Sequence, residues 1–195
     1  KLRPGLAESW ESSKAADEWV FKIRKGVTFH NGKSLTAQDV IYTIKRVLDP
    51  ATASPAKVQI DDIDPTTLKA DDAQTVRFKL KSPNADMPAL MAIQHLHIVP
   101  DGHTDFMKPV GTGPFACKSF EPGVNAVFTR SANFWKGDGK PYLDEVETIG
   151  IPDPTARFNA LLAGDIHTMT KIDAGLLARA KTIPTIEVMS TPGPA

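Results

Sequence analysis

The stretch from Trp19 to Arg46, WVFKIRKGVTFHNGKSLTAQDVIYTIKR, constrains the fold more than any other part of the chain. Trp19, Phe21 and Ile23 alternate with Val20, Lys22 and Arg24, the period-two pattern of a strand with one strongly apolar face. Lys25-Gly26 breaks that strand, and Asn31-Gly32 is a turn dipeptide reached through a second, short strand. Thr36 then opens a helix. Its hydroxyl is placed to accept the Asp39 N–H, and the Asp39 carboxylate suits the positive helix end. Val40, Ile41, Ile44, Val47 and Leu48 make one apolar stripe, with Lys45 and Arg46 near the negative end. Asp49-Pro50 stops the helix, because proline disfavours helical geometry in the residue before it.

The flanking segments read in the same way. Residues 5–11 are a short strand, linked to Trp19 by polar Ser12 to Asp17, and Ala51 to Pro55 is a loop. A second hairpin runs from Thr67–Ala70 through Asp71-Asp72-Ala73 to Thr75–Lys81. Ala85 to Ile93 is a short helix with Pro88 in its first turn, and His95 to Val99 is a short strand or extended segment ending at Pro100. Gly111-Thr112-Gly113-Pro114-Phe115 is a tight turn entering a strand. A phosphate-cradling loop fits it poorly, since Pro114 lacks an N–H and no Walker lysine follows. Residues 115–121 and 124–131 form a hairpin across Pro122-Gly123. Val146–Ile151, Ile166–Thr170 and Thr185–Ser190 read as strands. Between them lie helices opened by Asp153-Pro154 and by Asp173, with Gly164 closing the first. Phe158, Leu161 and Leu162 face inward in the first of these helices, and Leu176, Leu177 and Ala180 in the second. This alternation predicts parallel pairing through right-handed crossovers, and Thr191-Pro192-Gly193-Pro194 reads as a stop.

Several classes of function find no support. Lys plus Arg and Asp plus Glu are equal at 23 each, so nothing favours nucleic acid or an anionic membrane surface as partner. No apolar run reaches membrane-spanning length, and Lys1-Leu2-Arg3-Pro4 is not followed by a signal-peptide core. The single Cys117 has no disulfide partner, and its neighbours Phe115, Ala116 and Phe120 suggest a buried small apolar residue. There is no Gly-x-Ser-x-Gly, His-Glu-x-x-His or paired-cysteine motif. His95-Leu96-His97 would put two imidazoles on one face of a strand, and with His103 they could hold zinc, copper or nickel. The plainer alternative is one half-buried histidine and two solvated ones, because no acidic or thiol ligand is near. In an open α/β sheet, ligands bind beyond the carboxyl ends of the strands. That rule points to Ile151 and to Met169-Thr170-Lys171, the latter just before the helix start at Asp173. There Thr170 can donate or accept, Met169 can adapt its shape, and Lys171 can pair with a carboxylate.

Several stretches together carry a resemblance. They are Leu6-Ala7-Glu8-Ser9-Trp10, Trp19 to Val27, Phe29-His30-Asn31-Gly32, Thr36-Ala37-Gln38-Asp39-Val40, the turn at Gly111 to Pro114, and Asn133-Phe134-Trp135-Lys136-Gly137. In this order they resemble the signature of the family 5 extracellular solute-binding proteins, which feed peptides, nickel and other solutes to ABC importers. The resemblance implies an α/β fold: a periplasmic-binding-protein type II-like lobe I with a mixed sheet, plus a hairpin-rich family 5 subdomain, with the second lobe absent. It implies residues 1–30 as the start of lobe I, 31–142 as the extra subdomain and 143–195 as the α/β portion of lobe I. It further implies that the chain is a piece from within a longer receptor and holds only one wall of a solute site.

By the same resemblance the protein is no enzyme and needs no cofactor. It is periplasmic, binds a peptide or similar small solute, and hands it to the membrane subunits of an ABC permease without itself spanning the membrane. Gln94 and His95 are implied at the cleft wall, with Met169, Thr170 and Lys171 facing the cleft. His30 is implied in a structural hydrogen bond, and the aromatics Phe134 and Trp135 in packing or ligand contact. Gly164-Asp165-Ile166-His167 departs from the family's Gly-Glu-Ile-Asp, which would alter a salt bridge or the polarity of the cleft. The alternatives are a nickel or metal-chelate receptor using His95, His97 and His103, and a hydrolase whose site is assembled only in space.

Overall fold

The computed structural model describes residues 2–137, 139 and 141–190. Trp19, Phe21 and Ile23 are buried on one face of β2 (Glu18–Ile23), as their alternation predicts. β2 is an inner strand of a four-stranded sheet. With β1 (Ala7–Ser12), β3 (Lys69–Asp72) and β4 (Thr75–Lys79) the order is β1-β2-β4-β3, and every neighbouring pair is antiparallel. Trp19 lies opposite Phe78 and Phe21 opposite Val76. Phe21 also stacks on Phe78, with ring centroids 5.7 Å apart. Each such ring taken from water contributes about 1.5–3 kcal/mol, which fixes the register of a sheet whose one-residue slip would expose all of them.

The helix α1 (Ala37–Leu48) packs against β3 and β4 and buries Val40, Ile41, Ile44 and Val47, while Leu48 is only partly covered. Its start is a capping box. The Asp39 carboxylate accepts the Thr36 N–H at 2.8 Å and the Thr36 hydroxyl at 2.9 Å. Two short helices, α2 (Lys57–Ile60) and α3 (Met87–Leu90), meet beyond it. The short strand before Asn31-Gly32 reduces to a single bridge between Thr28 and Ser34. The helix expected over Ala85 to Ile93 is confined to α3, after which Ala92 and Ile93 bond three residues back in tight turns. A second sheet has the order β5-β6-β7 from β5 (Phe115–Glu121), β6 (Asn125–Arg130) and β7 (Glu145–Ile149). Cys117 is half-buried rather than enclosed, because β5 is an edge strand of that small sheet.

Two compact units result: residues up to Phe120 with Ala126–Glu147, and Glu121–Asn125 with the residues from Thr148 onward. No unit ends at residue 30 or 142. The pairing of β2 with β4 ties the first segment into the sheet of the next. In the second unit, α4 (Pro154–Ala163) is capped by Asp153, whose carboxylate accepts the Ala156 N–H at 2.7 Å. It ends at Gly164 in the left-handed region, φ 82°. α5 (Ala174–Ala180) is capped in the same way by Asp173. At Gly150 a Cβ would meet the Gly123 carbonyl oxygen at 2.7 Å, so only glycine fits where its N–H bonds Val124.

The parallel strands expected at Ile166–Thr170 and Thr185–Ser190 do not form. Among the described residues no strand lies beside them to complete a ladder, and Ile166 and Ile186 bond to nearby carbonyls instead. For the same reason Leu162 faces solvent, while Phe158 alone of its predicted apolar face is fully buried. The expected stop at Thr191 to Pro194 lies outside the described residues. No described helix is long and apolar enough to cross a membrane.

Candidate functional site

Within the first unit lies a cleft of about 1170 Å³. Its walls are mostly apolar, with Leu6, Trp10, Ile23, Val40, Met91 and Phe115 among them. The polar groups around it are mainly basic: Arg3, Arg46, His30, His95, His97 and His103. No aspartate or glutamate lines it.

Three local devices hold this lining in place. His30, in the turn after β2, donates its backbone N–H to the Gly111 carbonyl at 2.9 Å, and its Nε2 lies 2.9 Å from the Gly113 carbonyl oxygen. Its Nδ1 is 3.4 Å from the Gly111 nitrogen, so an imidazole protonated at Nε2 satisfies both ends of the ring. The structural hydrogen bonding expected of His30 is therefore present. It clamps the Gly111-Thr112-Gly113 turn to the edge of the first sheet's loop.

The second device is Asp39, fully buried at the start of α1. Burial alone would raise its carboxyl. The Lys33 ammonium, the backbone N–H groups of Asp101 and Thr36 and the Thr36 hydroxyl together hold it below the usual carboxylate range instead.

The third is the flank of α1 that carries Tyr42, Thr43 and Arg46. The Tyr42 hydroxyl donates to the His103 carbonyl at 2.8 Å, and the Thr43 hydroxyl accepts the Val99 N–H at 3.1 Å. One turn further along the same helix, the Arg46 guanidinium lies 4.6 Å from the centre of the Phe106 ring. The His103 ring meets Phe106 edge-on at 5.1 Å.

Gln94 and His95 line the cleft and are exposed there, 3.2 Å apart from Nε2 to Nε2. The His95–Val99 segment is not a strand. His95 sits in a turn and residues 96–100 have no ladder, so the same-face argument for His95 and His97 does not apply. His95, His97 and His103 all reach the cleft, yet no group of three or more His, Cys, Asp or Glu side chains among the described residues is arranged to hold a metal ion. Met169, Thr170 and Lys171 belong to the second unit and lie in an irregular segment before α5, with Lys171 in the left-handed region at φ 58°. The helix start they precede already spends its Leu176 N–H on Asp173 at 2.8 Å. Trp135 is a packing residue: it lies against the first core with the Arg24 guanidinium 5.0 Å from its ring centre. Sequence reasoning treated Arg46 only as a complement to the helix dipole. Its place at the cleft depends on Phe106, sixty positions on, for which no local signal exists.

The whole chain, residues 1–195, matches the family model described as bacterial extracellular solute-binding proteins, family 5 middle. Heme-binding protein A of Haemophilus influenzae is 29% identical over 98% of this chain and 40% of its own length. Di/tripeptide-binding protein 2 of Pseudomonas aeruginosa is 31% identical over 81% of this chain and 34% of its own length. Among solved structures, the binding protein AgaA from A. tumefacien R10 in complex with agropinic acid superposes with a TM-score of 0.85 at 30% identity. That match covers 93% of this chain and 37% of AgaA. The chain thus spans between 34% and 40% of the curated relatives named here.

Proposed function

The chain belongs to the bacterial extracellular solute-binding proteins of family 5, and from that premise we propose that it forms one wall of the solute site in the substrate-binding component of an ABC importer. The protein works by binding and release rather than by turnover. It takes up a small solute in the extracytoplasmic space and delivers it to the permease in the membrane. Peptide is the solute class this reading favours, by similarity to the di/tripeptide-binding relative.

The observation that carries the reading is the cleft. It is preformed, largely apolar and ringed by a few polar side chains on a rigid sheet-and-helix scaffold, the combination that small-molecule sites share. Gln94 and His95 are two of its exposed hydrogen-bonding groups and are assigned to solute contact. Met169, Thr170 and Lys171 are the corresponding candidates in the second unit. With one wall alone, a solute stays largely solvated, so this chain binds weakly by itself.

Native mass spectrometry of the full-length protein, purified from its own host, tests the reading directly. A bound peptide-sized mass, displaced by added di- or tripeptide, is the expected result. Turnover of a peptide or ester that persists through repurification would sink it.

A further inference from the structure

We propose that Arg46, with His103 beside it, is the counter-ion for a carboxylate carried by the solute; this rests on the receptor reading above and gives its solute a chemical class. The chain as a whole has a formal net charge of zero. The cleft does not share that balance: two arginines and four histidines line it, and no acidic side chain does. The guanidinium charges of Arg3 and Arg46, with no carboxylate opposing them inside mostly apolar walls, raise the local potential and favour an anionic ligand.

Arg46 is the strongest of these groups. No carboxylate or carbonyl among the described residues pairs with it, and its Nε is buried without a hydrogen-bond partner. One face of its guanidinium rests on Phe106, which leaves the in-plane N–H groups as the free donors. His103 brings a second buried and unpartnered nitrogen, Nε2, to the same ring. The planar fork of arginine matches a carboxylate bidentately, and the unpartnered Nε offers one of its donors. Both groups are presented by one element. Tyr42 and Thr43 fix residues 99–103 to the helix that carries Arg46 one turn later. The solute is therefore a small molecule with an apolar body and a free carboxylate.

Calorimetric titration of the full-length protein with Ala-Leu and with its C-terminal amide tests this. The wild type is expected to bind the acid at least about tenfold more tightly than the amide, a difference of about 1.4 kcal/mol. Arg46→Gln should weaken the acid alone and bring the ratio near one. Arg46→Lys, which keeps the charge but not the fork, should retain part of the preference and guards against a folding defect in the glutamine variant. Equal binding of acid and amide by the wild type, or an unchanged ratio in a folded Arg46→Gln, overturns the proposal. Failure of the wild type to bind either form counts against the peptide reading. In that event the Arg46 Nε–H resonance is followed during titration with acetate and with acetamide. A shift with acetate only upholds the carboxylate site; no shift with either removes it.

Discussion

The two units of this chain are built from the same kinds of local signal and end up very differently packed. In the first, β2 is paired on both sides and α1 covers the sheet, so Phe29, Phe78, Ile44, Ile60, Ile63 and Val76 are all fully enclosed. In the second, Phe158 and Ala180 are the only fully buried apolar residues among those described. Yet its helices are well specified, by Asp153, Gly164 and Asp173 at their ends. A helix closes its hydrogen bonds within itself, and its caps are a few residues away. A strand has no bonds of its own to close, so Ile166–Thr170 and Thr185–Ser190 keep the sequence pattern of strands without becoming strands.

Four substitutions probe that contrast, in order of expected effect. Phe78→Ala removes a ring stacked on Phe21 and enclosed on all sides; it should cost about 3–5 kcal/mol in urea unfolding of the first unit. A cost below about 1 kcal/mol would mean that this core is no tighter than the second unit's. Asp39→Asn weakens the bonds from Lys33, Thr36 and the Asp101 N–H and should cost about 1.5–3 kcal/mol near neutral pH. The effect depends on pH with a definite sign. The folded carboxyl titrates below its ordinary value of 3.8, so its contribution is complete above that value and is lost as the pH falls through the folded one. Stability curves of wild type and variant should converge in acid. The slope due to Asp64, Asp71 and Asp72, also lowered by their hydrogen bonds, remains in both.

In the second unit, Phe158→Ala should abolish hydrogen-exchange protection in α4 and α5. Protection in α1, which belongs to the first unit, should change by less than about 0.5 kcal/mol if the units open separately. A matching loss in α1 would show that the units unfold together. Asp173→Ala removes one cap and should cost about 1 kcal/mol, visible only in the exchange of α5.

What the sequence made legible follows the same division. The alternation of Trp19, Phe21 and Ile23, the Thr36–Asp39 cap, the α1 stripe, the hairpins and the caps Asp153, Gly164 and Asp173 of the second unit were readable, because each is set within a few residues. The mixed α/β class and the family came from several such signals in order. The missing parallel strands, the half-buried Cys117 and the turn at His95 were not readable, since each depends on what lies alongside in space. The candidate site divides likewise. Gln94 and His95 were placed at the cleft through the family resemblance, whereas the pairing of Arg46 with Phe106 and His103 belongs to tertiary structure alone.

The bond from the Asp101 N–H to Asp39 joins positions 62 apart. It cannot exist until the chain between them has been drawn into a closed loop, at an entropic cost that short-range contacts do not carry. The helix start, with Thr36 and Lys33, is complete without it. Asp39 therefore joins two kinds of contact: a local one that shapes α1, and a long-range one that locks the segment leading into His103 against it. Loss of that one bond would loosen the segment leading into His103, and with it one edge of the cleft wall.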